Sequence, residues 1–118
     1  MEPTVPNDIA CLLIHGLNGI RYDFDDIATQ LHARGYAAEQ VLLPGHEVHH
    51  RVAINYGWDD WTAEVQRHFD ALARRHRRVV VIGHSMGGAL ALHLAAREPR
   101  VAAVAALCAP TALHAGLV

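Results

Sequence analysis

The sequence predicts an α/β protein with a four-stranded parallel sheet, and two observations carry this prediction. Apolar runs of strand length alternate with helical patterns along the chain, as parallel strands joined by crossover helices do. The run RVVVIG is continuously apolar after its first residue, which is typical of a strand covered on both faces. For 118 residues we expect one minimal domain, residues 1–118, with strand order 2-1-3-4 and helices on both faces of the sheet.

The first half of the chain supplies two strands and one helix. IACLLIHG reads as the first strand, and YAAEQVLLPG reads as the second, stopped by its proline and glycine. Between them, YDFDDIATQLHARG has the apolar spacing of a helix that ends at Gly35. The residues expected on its buried face are Phe24, Ile27, Ala28 and Leu31.

The second half repeats the alternation after a loop over residues 46–57. WDDWTAEVQRHFDALARRH predicts a long helix, acidic in its first turn and basic in its last, in agreement with the helix dipole. Its apolar face is expected to carry Trp61, Val65, Phe69 and Leu72. RVVVIG is the third strand, MGGALALHLAAREP a helix of small residues, and VAAVAALCAP the fourth strand.

Composition narrows the class of protein. The formal charge of −2 and the lack of a basic block argue against nucleic acid or anionic lipid as a binding partner. The short cationic patch is interpreted as the solvated end of a helix, and it consists of Arg74, Arg75, Arg77 and Arg78. Because the N-terminus lacks the features of a secretory signal and no apolar run could span a membrane, we expect a cytoplasmic protein. Cys11 and Cys108 fall in separate apolar runs and read as structural thiols.

The stretch GHSMGG, residues 83–88, places a serine between a strand and a helix. A serine at such a tight turn is raised above the carboxyl edge of the sheet, and Gly83 and Gly87 permit the close backbone approach that the turn demands. The helix beginning at Met86 directs free N–H groups toward the same place. The pattern therefore predicts Ser85 as a nucleophile.

A second motif, HGLNG at residues 15–19, follows the first strand. The backbone N–H of Leu17 could join that of Met86 in a two-donor oxyanion hole, in which each donor contributes about 3 kcal/mol to the transition state. His15 would then hold the loop in shape beside Gly16 rather than transfer protons.

Taken together, HGLNG, LPGHE, WDDWTAEV, GHSMGG and LCAP resemble the N-terminal half of the α/β-hydrolase fold, closest to bacterial carboxylesterases and monoacylglycerol lipases. The resemblance covers residues 9–113. It implies a serine carboxylic-ester hydrolase with Ser85 as nucleophile and the N–H groups of Leu17 and Met86 as oxyanion hole. It further implies a small ester or acylglycerol as substrate, and no metal or organic cofactor.

The chain departs from this family where the acid and the base should follow the nucleophile. Glu98 is the only acid after Ser85, and it is expected at the far end of a helix. His114, just beyond the fourth strand, is the preferred base, with His46 as the alternative. Five further histidines are expected at packed, surface or interface positions, namely His32, His68, His76, His84 and His93.

The sequence also predicts a homodimer and offers two alternatives to an esterase. The apolar edge strand Val101–Leu107 predicts a homodimer that pairs two fourth strands and could complete the site in trans. A catalytically inactive half-domain, serving as scaffold or dimerisation module, is the main alternative to an esterase. The HEVHH stretch, His46–His50, matches a zinc-hydrolase pattern but lies in a predicted loop. Because the chain ends where many lipases continue into a lid, an open site and short acyl esters are expected.

Overall fold

The computed structural model describes residues 8–17, 19–46 and 55–111 of the chain. In chain order the elements are β1 (Ile9–Ile14), a 3₁₀ helix (Arg21–Phe24), α1 (Asp25–Ala33), β2 (Ala37–Val41), α2 (Trp58–Ala73), β3 (Arg78–His84), α3 (Met86–Arg97) and β4 (Val101–Leu107). All strand pairs are parallel, and the four strands lie in the order β2-β1-β3-β4. The predicted fold class and strand order are confirmed.

Strand β1 lies at the centre of packing because side chains from both of its faces are buried. Leu12 and Ile14 belong to a core cluster shared with β3, α2 and α3. The opposite face of the sheet carries a smaller cluster of Cys11, Leu13, Phe24 and Ala28. Since α1 covers one face and α2 with α3 cover the other, the prediction of helices on both faces is also confirmed.

The first helix is shorter than its sequence pattern suggested. The segment opens with the 3₁₀ turn, and α1 begins only at Asp25. Phe24 and Ala28 are buried, as expected, but Ile27 is 39% exposed. The assignment of Ile27 to the buried face is therefore wrong. Only a narrow face of this short helix contacts the sheet, and Ile27 lies outside that face.

The arginine-rich segment follows α2 rather than forming its last turn. Helix α2 ends at Ala73 with Arg74 as its C-cap, so the basic last turn predicted for this helix is absent. The four arginines are exposed, as predicted. Arg75 lies 3.9 Å from the Glu39 carboxylate and Arg77 lies 3.6 Å from that of Asp8, both at the surface. Solvent-exposed pairs of this kind contribute little stability.

The two cysteines have different environments. Both are free thiols, and Cys11 is buried, which raises its pKa. Cys108 is exposed and has a φ of 54°, in the region that favours glycine. The expectation of a structural thiol holds for Cys11 and is wrong for Cys108, which lies one residue past the end of β4, a strand whose outer edge no other described strand covers. Within the described residues no helix is long and apolar enough to cross a membrane.

Candidate active site

Ser85 occupies the turn between β3 and α3. Its φ of 57° lies in the region that favours glycine, and such a conformation costs a non-glycine residue about 1–3 kcal/mol. The turn is tied to the end of β4, because the Ser85 N–H donates to the carbonyl of Leu107 at 2.8 Å. The Ser85 carbonyl accepts from the N–H groups of Gly88 at 2.9 Å and Ala89 at 3.2 Å. A strained serine backbone thus joins the end of a strand to the start of a helix.

Two glycines make this sharp turn sterically feasible. A Cβ atom added at Gly83 would lie 2.0 Å from the carbonyl oxygen of Gly87. A Cβ atom at Gly87 would lie 2.1 Å from the carbonyl oxygen of Ile14, at the end of β1. Helix α3 therefore begins in direct contact with the carboxyl end of the central strand.

The loop after β1 reaches the serine. A Cβ atom at Gly16 would lie 3.2 Å from Ser85 Cβ and 3.7 Å from Ser85 Oγ. The loop is closed by a hydrogen bond of 3.0 Å from the Gly19 N–H to the Gly16 carbonyl. No acceptor among the described residues takes the N–H of Leu17 or of Met86, and both residues line one cavity. Two available backbone donors are thus brought to the neighbourhood of the hydroxyl.

His15 connects this loop to the segment after β2. Its ring is buried, and Nε2 accepts a hydrogen bond of 3.1 Å from the Leu43 N–H. Nδ1 lies 2.8 Å from the Gly16 carbonyl oxygen, which can only accept. The neutral tautomer protonated at Nδ1 satisfies both contacts. Because both nitrogens are engaged with backbone groups, the ring orients the loop and has no lone pair left for the serine.

No described histidine is hydrogen-bonded to Ser85. Over residues 8–17, 19–46 and 55–111, no side chain forms a hydrogen bond with the Ser85 hydroxyl. His114, the preferred base, lies outside the described residues. His46 is buried after β2, with its ring centroid 4.8 Å from that of His15 and 5.9 Å from that of Trp61. His84 is exposed at the end of β3.

The HEVHH stretch can be followed only at its first residue, since residues 47–50 lie outside the described part of the chain. His46 Nδ1 lies 3.3 Å from the Pro44 carbonyl oxygen. In the described residues no group of three or more potential ligands is arranged to hold a metal ion.

Glu98, the only acid after Ser85, lies at the opposite end of α3. Twelve helical residues separate the two, about 18 Å of helix. Its carboxylate accepts hydrogen bonds from Arg100 at 2.9 Å and from Gln66 at 3.2 Å. The side-chain and backbone hydrogen bonds from Arg100 lower the Glu98 pKa to about 2. The carboxylate therefore anchors the start of β4 and is too distant to orient a base at Ser85.

His68 occupies a position that the sequence did not predict. It was expected at the surface or at an interface, but its ring is half-buried between two carboxylates. Nδ1 lies 2.5 Å from Glu39 and Nε2 lies 3.0 Å from Glu64. Since Glu39 belongs to β2 and Glu64 to α2, this histidine joins the helix to the edge of the sheet.

Two cavities flank the turn at Ser85. One, of about 370 Å³, is lined in part by Asp23, Ile27 and His84. The other, of about 700 Å³, lies on the α2–α3 side and is mostly apolar. Its lining includes Leu17, Trp58, Trp61, Met86, Ala89 and His93. Sequence reasoning missed Trp58 and His93, although the spacing of Met86, Ala89 and His93 marks one stripe of a helix.

Comparison with known proteins agrees with this architecture. The profile of the family described as serine aminopeptidase, S33 matches residues 6–116. The thermostable monoacylglycerol lipase of Bacillus sp. (strain H-257) is 30% identical over 96 residues, which are 81% of this chain and 38% of that protein. This chain therefore spans well under half of that relative.

Solved structures give the same result. A structure described with LipS and LipT, two metagenome-derived lipolytic enzymes, aligns with a TM-score of 0.80 and 29% identity, over 85% of this chain and 41% of the other. The thioesterase domain from the curacin biosynthetic pathway aligns with a TM-score of 0.73 over 96% of this chain and 43% of the other; at 24% identity it shows the fold alone. The strand–serine–helix turn, the sheet order and the matching profile together establish that this chain belongs to the serine aminopeptidase, S33 family and has the fold of the α/β-hydrolase superfamily.

Proposed function

We propose that the protein is a serine carboxylic-ester hydrolase that acts through an acyl-enzyme at Ser85. The observation that carries the proposal is the strained Ser85 turn, which lies beside Gly16 and close to two N–H groups without acceptors among the described residues. Backbone strain at a functional residue is common where the surrounding structure holds it in place. The lipolytic relatives support an ester as the substrate class.

In the proposed reaction, Ser85 Oγ attacks the ester carbonyl carbon while a base takes the hydroxyl proton. The carbonyl oxygen becomes an oxyanion that accepts hydrogen bonds from the N–H groups of Leu17 and Met86. Collapse of this intermediate releases the alcohol, which takes the proton from the protonated base. Water then attacks the acyl-enzyme by the same route and releases the carboxylic acid.

For the base we propose His114, contributed by the same chain or by a partner subunit, with His46 as the alternative. His46 follows β2, which is separated from β3 by β1, and its ring packs against His15 and Trp61. This position favours a packing role for His46. The contact of the His46 ring with the His15 ring also gives a structural reason for the burial of His46.

The substrate we propose is a small ester or an acylglycerol. The similarity to the Bacillus protein, a monoacylglycerol lipase, supports this class. We further propose that residues 1–118 form one domain, since the family profile covers residues 6–116 and the sheet includes strands from both ends of that range.

We also propose that the protein forms a homodimer through β4. Five of its seven residues, Val101–Leu107, are exposed although all are apolar, and the strand pairs only with β3 among the described strands. An exposed apolar edge favours pairing with a second copy of itself about a twofold axis.

Covalent labelling tests the enzymatic proposal directly. Ser85 is the only serine in the chain, so an alkyl fluorophosphonate adduct detected by intact mass can be assigned by comparison with Ser85→Ala. We expect an adduct on the wild type and none on the variant, together with loss of ester turnover in Ser85→Ala. Absence of an adduct would favour the alternative function, a scaffold, which the lack of a described base near Ser85 supports.

Single histidine variants then identify the base. His114→Ala should lower kcat on p-nitrophenyl esters by at least about 10²-fold, whereas His46→Ala should act mainly through stability. His32→Ala, an exposed position on α1, is the matched control and should leave kcat unchanged. A larger loss of kcat in a stably folded His46→Ala would reverse the assignment. Dialysis against a chelator should leave the activity intact.

A further inference from the structure

We propose that the apolar groove between α2 and α3 binds the acyl chain of the ester, and that Trp58 and His93 at its far end set the acyl length. The inference rests on the proposed ester hydrolysis and adds the substrate's acyl class to it: a chain of medium length rather than the short acyl group expected from the sequence. The groove measures about 700 Å³, and Leu17 and Met86 are among the residues that line it.

The position of the groove relates it to the serine. Leu17 and Met86, whose N–H groups would hold the ester carbonyl oxygen, also line one end of the groove. An acyl chain attached to that carbonyl would therefore start where the groove starts. The cavity on the other side of the sheet is about half as large, at about 370 Å³, and three of its six lining residues are polar or charged, so it is less suited to a hydrocarbon chain.

The length of the groove follows from the stripe of α3 that lines it. Met86, Ala89 and His93 lie on one side of this helix, and the seven-residue step from Met86 to His93 spans about 10 Å. At the far end the rings of Trp58 and His93 meet edge to face, with centroids 5.4 Å apart. In the proposal this ring pair ends the acyl site, about 10 Å along α3 from Met86, a length that suits a medium-length chain.

The chemistry of the lining suits a hydrocarbon. Trp58 and Leu92 are 39% and 37% exposed, so a bound chain would remove apolar surface from water. Burial lowers the pKa of His93, and the nearby Arg97 lowers it further. A neutral imidazole at the end of the groove is compatible with an apolar ligand. Each buried methylene should raise kcat/KM about fourfold until the chain reaches Trp58.

A chain-length series on a groove variant tests the proposal. Ala89→Phe should fill the groove and lower the ratio of kcat/KM for p-nitrophenyl octanoate to that for p-nitrophenyl acetate at least tenfold. The matched control is Ala33→Phe, the same substitution at an exposed position of α1 on the opposite face of the sheet, which should leave the ratio unchanged. An unchanged ratio in a folded Ala89→Phe, or an equal change in both variants, would overturn the proposal.

Replacing Trp58 or His93 by alanine tests whether their rings limit the length of the acyl chain. Trp58→Ala and His93→Ala should each move the preferred ester toward longer acyl chains, with at least a threefold rise in the dodecanoate-to-octanoate ratio. If neither variant changes the preferred length, the two rings do not end the acyl site.

A binding measurement separates failure of this proposal from failure of ester hydrolysis. Trp58 and Trp61 are the chain's two tryptophans, and both line the groove. In Ser85→Ala, octanoate brominated at its terminal carbon should quench the tryptophan emission more strongly than octanoate brominated beside the carboxylate. In the double variant that also carries Ala89→Phe, the two brominated octanoates should quench equally. Quenching without any turnover in the wild type would refute only the enzymatic proposal. Turnover without such quenching would refute only the acyl groove.

Discussion

Val81 of β3 and Val104 of β4 are the same residue type at paired positions of adjacent parallel strands. Nevertheless, Val81 is fully buried and Val104 is 37% exposed. The difference arises because β3 has a strand on each side, whereas β4 pairs only with β3 among the described strands. An apolar strand sequence therefore predicts the capacity to be buried, and the neighbouring elements decide whether it is.

The largest loss of stability is expected near the buried strand β3, at the turn that joins it to α3. Gly87→Ala would place a Cβ atom 2.1 Å from the Ile14 carbonyl oxygen, so helix and strand would have to separate. We expect a loss of at least about 3 kcal/mol in the free energy of unfolding, or no folded protein. Urea unfolding followed by circular dichroism measures it.

Gly57→Ala is the matched control for that substitution. At Gly57, the N-cap of α2, an added Cβ atom would meet nothing within 4 Å. The expected loss is below about 1 kcal/mol, from the poorer N-cap alone. Equal losses in the two variants would show that α3 does not depend on close contact with β1.

A smaller effect separates the two valines directly. Val81→Ala should lower the free energy of unfolding by about 2 kcal/mol through lost burial and a residual cavity. Val104→Ala should lower it by less than about 0.5 kcal/mol in the monomer. Chemical denaturation at low protein concentration measures both free energies, and similar losses in the two variants would contradict the assignment of β4 as the edge of the described sheet.

In the proposed dimer, the difference in exposure between Val81 and Val104 should become smaller. If two β4 strands pair, Val104 becomes more buried, and Val104→Lys should convert the dimer to monomer with little change in monomer stability. Sedimentation velocity over a range of concentrations measures this change. A wild-type protein that is monomeric at every concentration would reject the dimer.

The smallest effect concerns the start of β4. Arg100 lies 2.7 Å from the Asp70 carboxylate on α2 and 2.9 Å from that of Glu98. Because the hydrogen bonds from Arg100 lower the Glu98 pKa from 4.5 to about 2, the stabilisation from the Arg100–Glu98 contact is complete above pH 4.5 and is lost as the pH falls toward 2. Arg100→Gln should therefore lower Tm slightly at pH 7 and flatten its fall between these pH values. Arg74→Gln, at the exposed C-cap of α2, should leave the profile unchanged.

The fold was largely predictable because its signals are local. The apolar runs of β1 and β3 and the glycines around Ser85 each depend on a few neighbouring residues. Ile27, Cys108 and His68 were misjudged or missed because their environments depend on which elements cover them. The closing contact between Trp58 and His93 joins two helices and has no signature in either one.

Sequence alone determined the strands, their parallel order, the turn at Ser85 and the family resemblance. Backbone geometry and hydrophobic periodicity act over short distances, so the order of residues is sufficient to reveal them. Only the tertiary structure decided that Gly16 lies against Ser85, that both ring nitrogens of His15 are engaged with backbone groups, and that an apolar groove leads from Met86 to His93. These features depend on the relative placement of distant segments, which is set by the packing of helices on a twisted sheet.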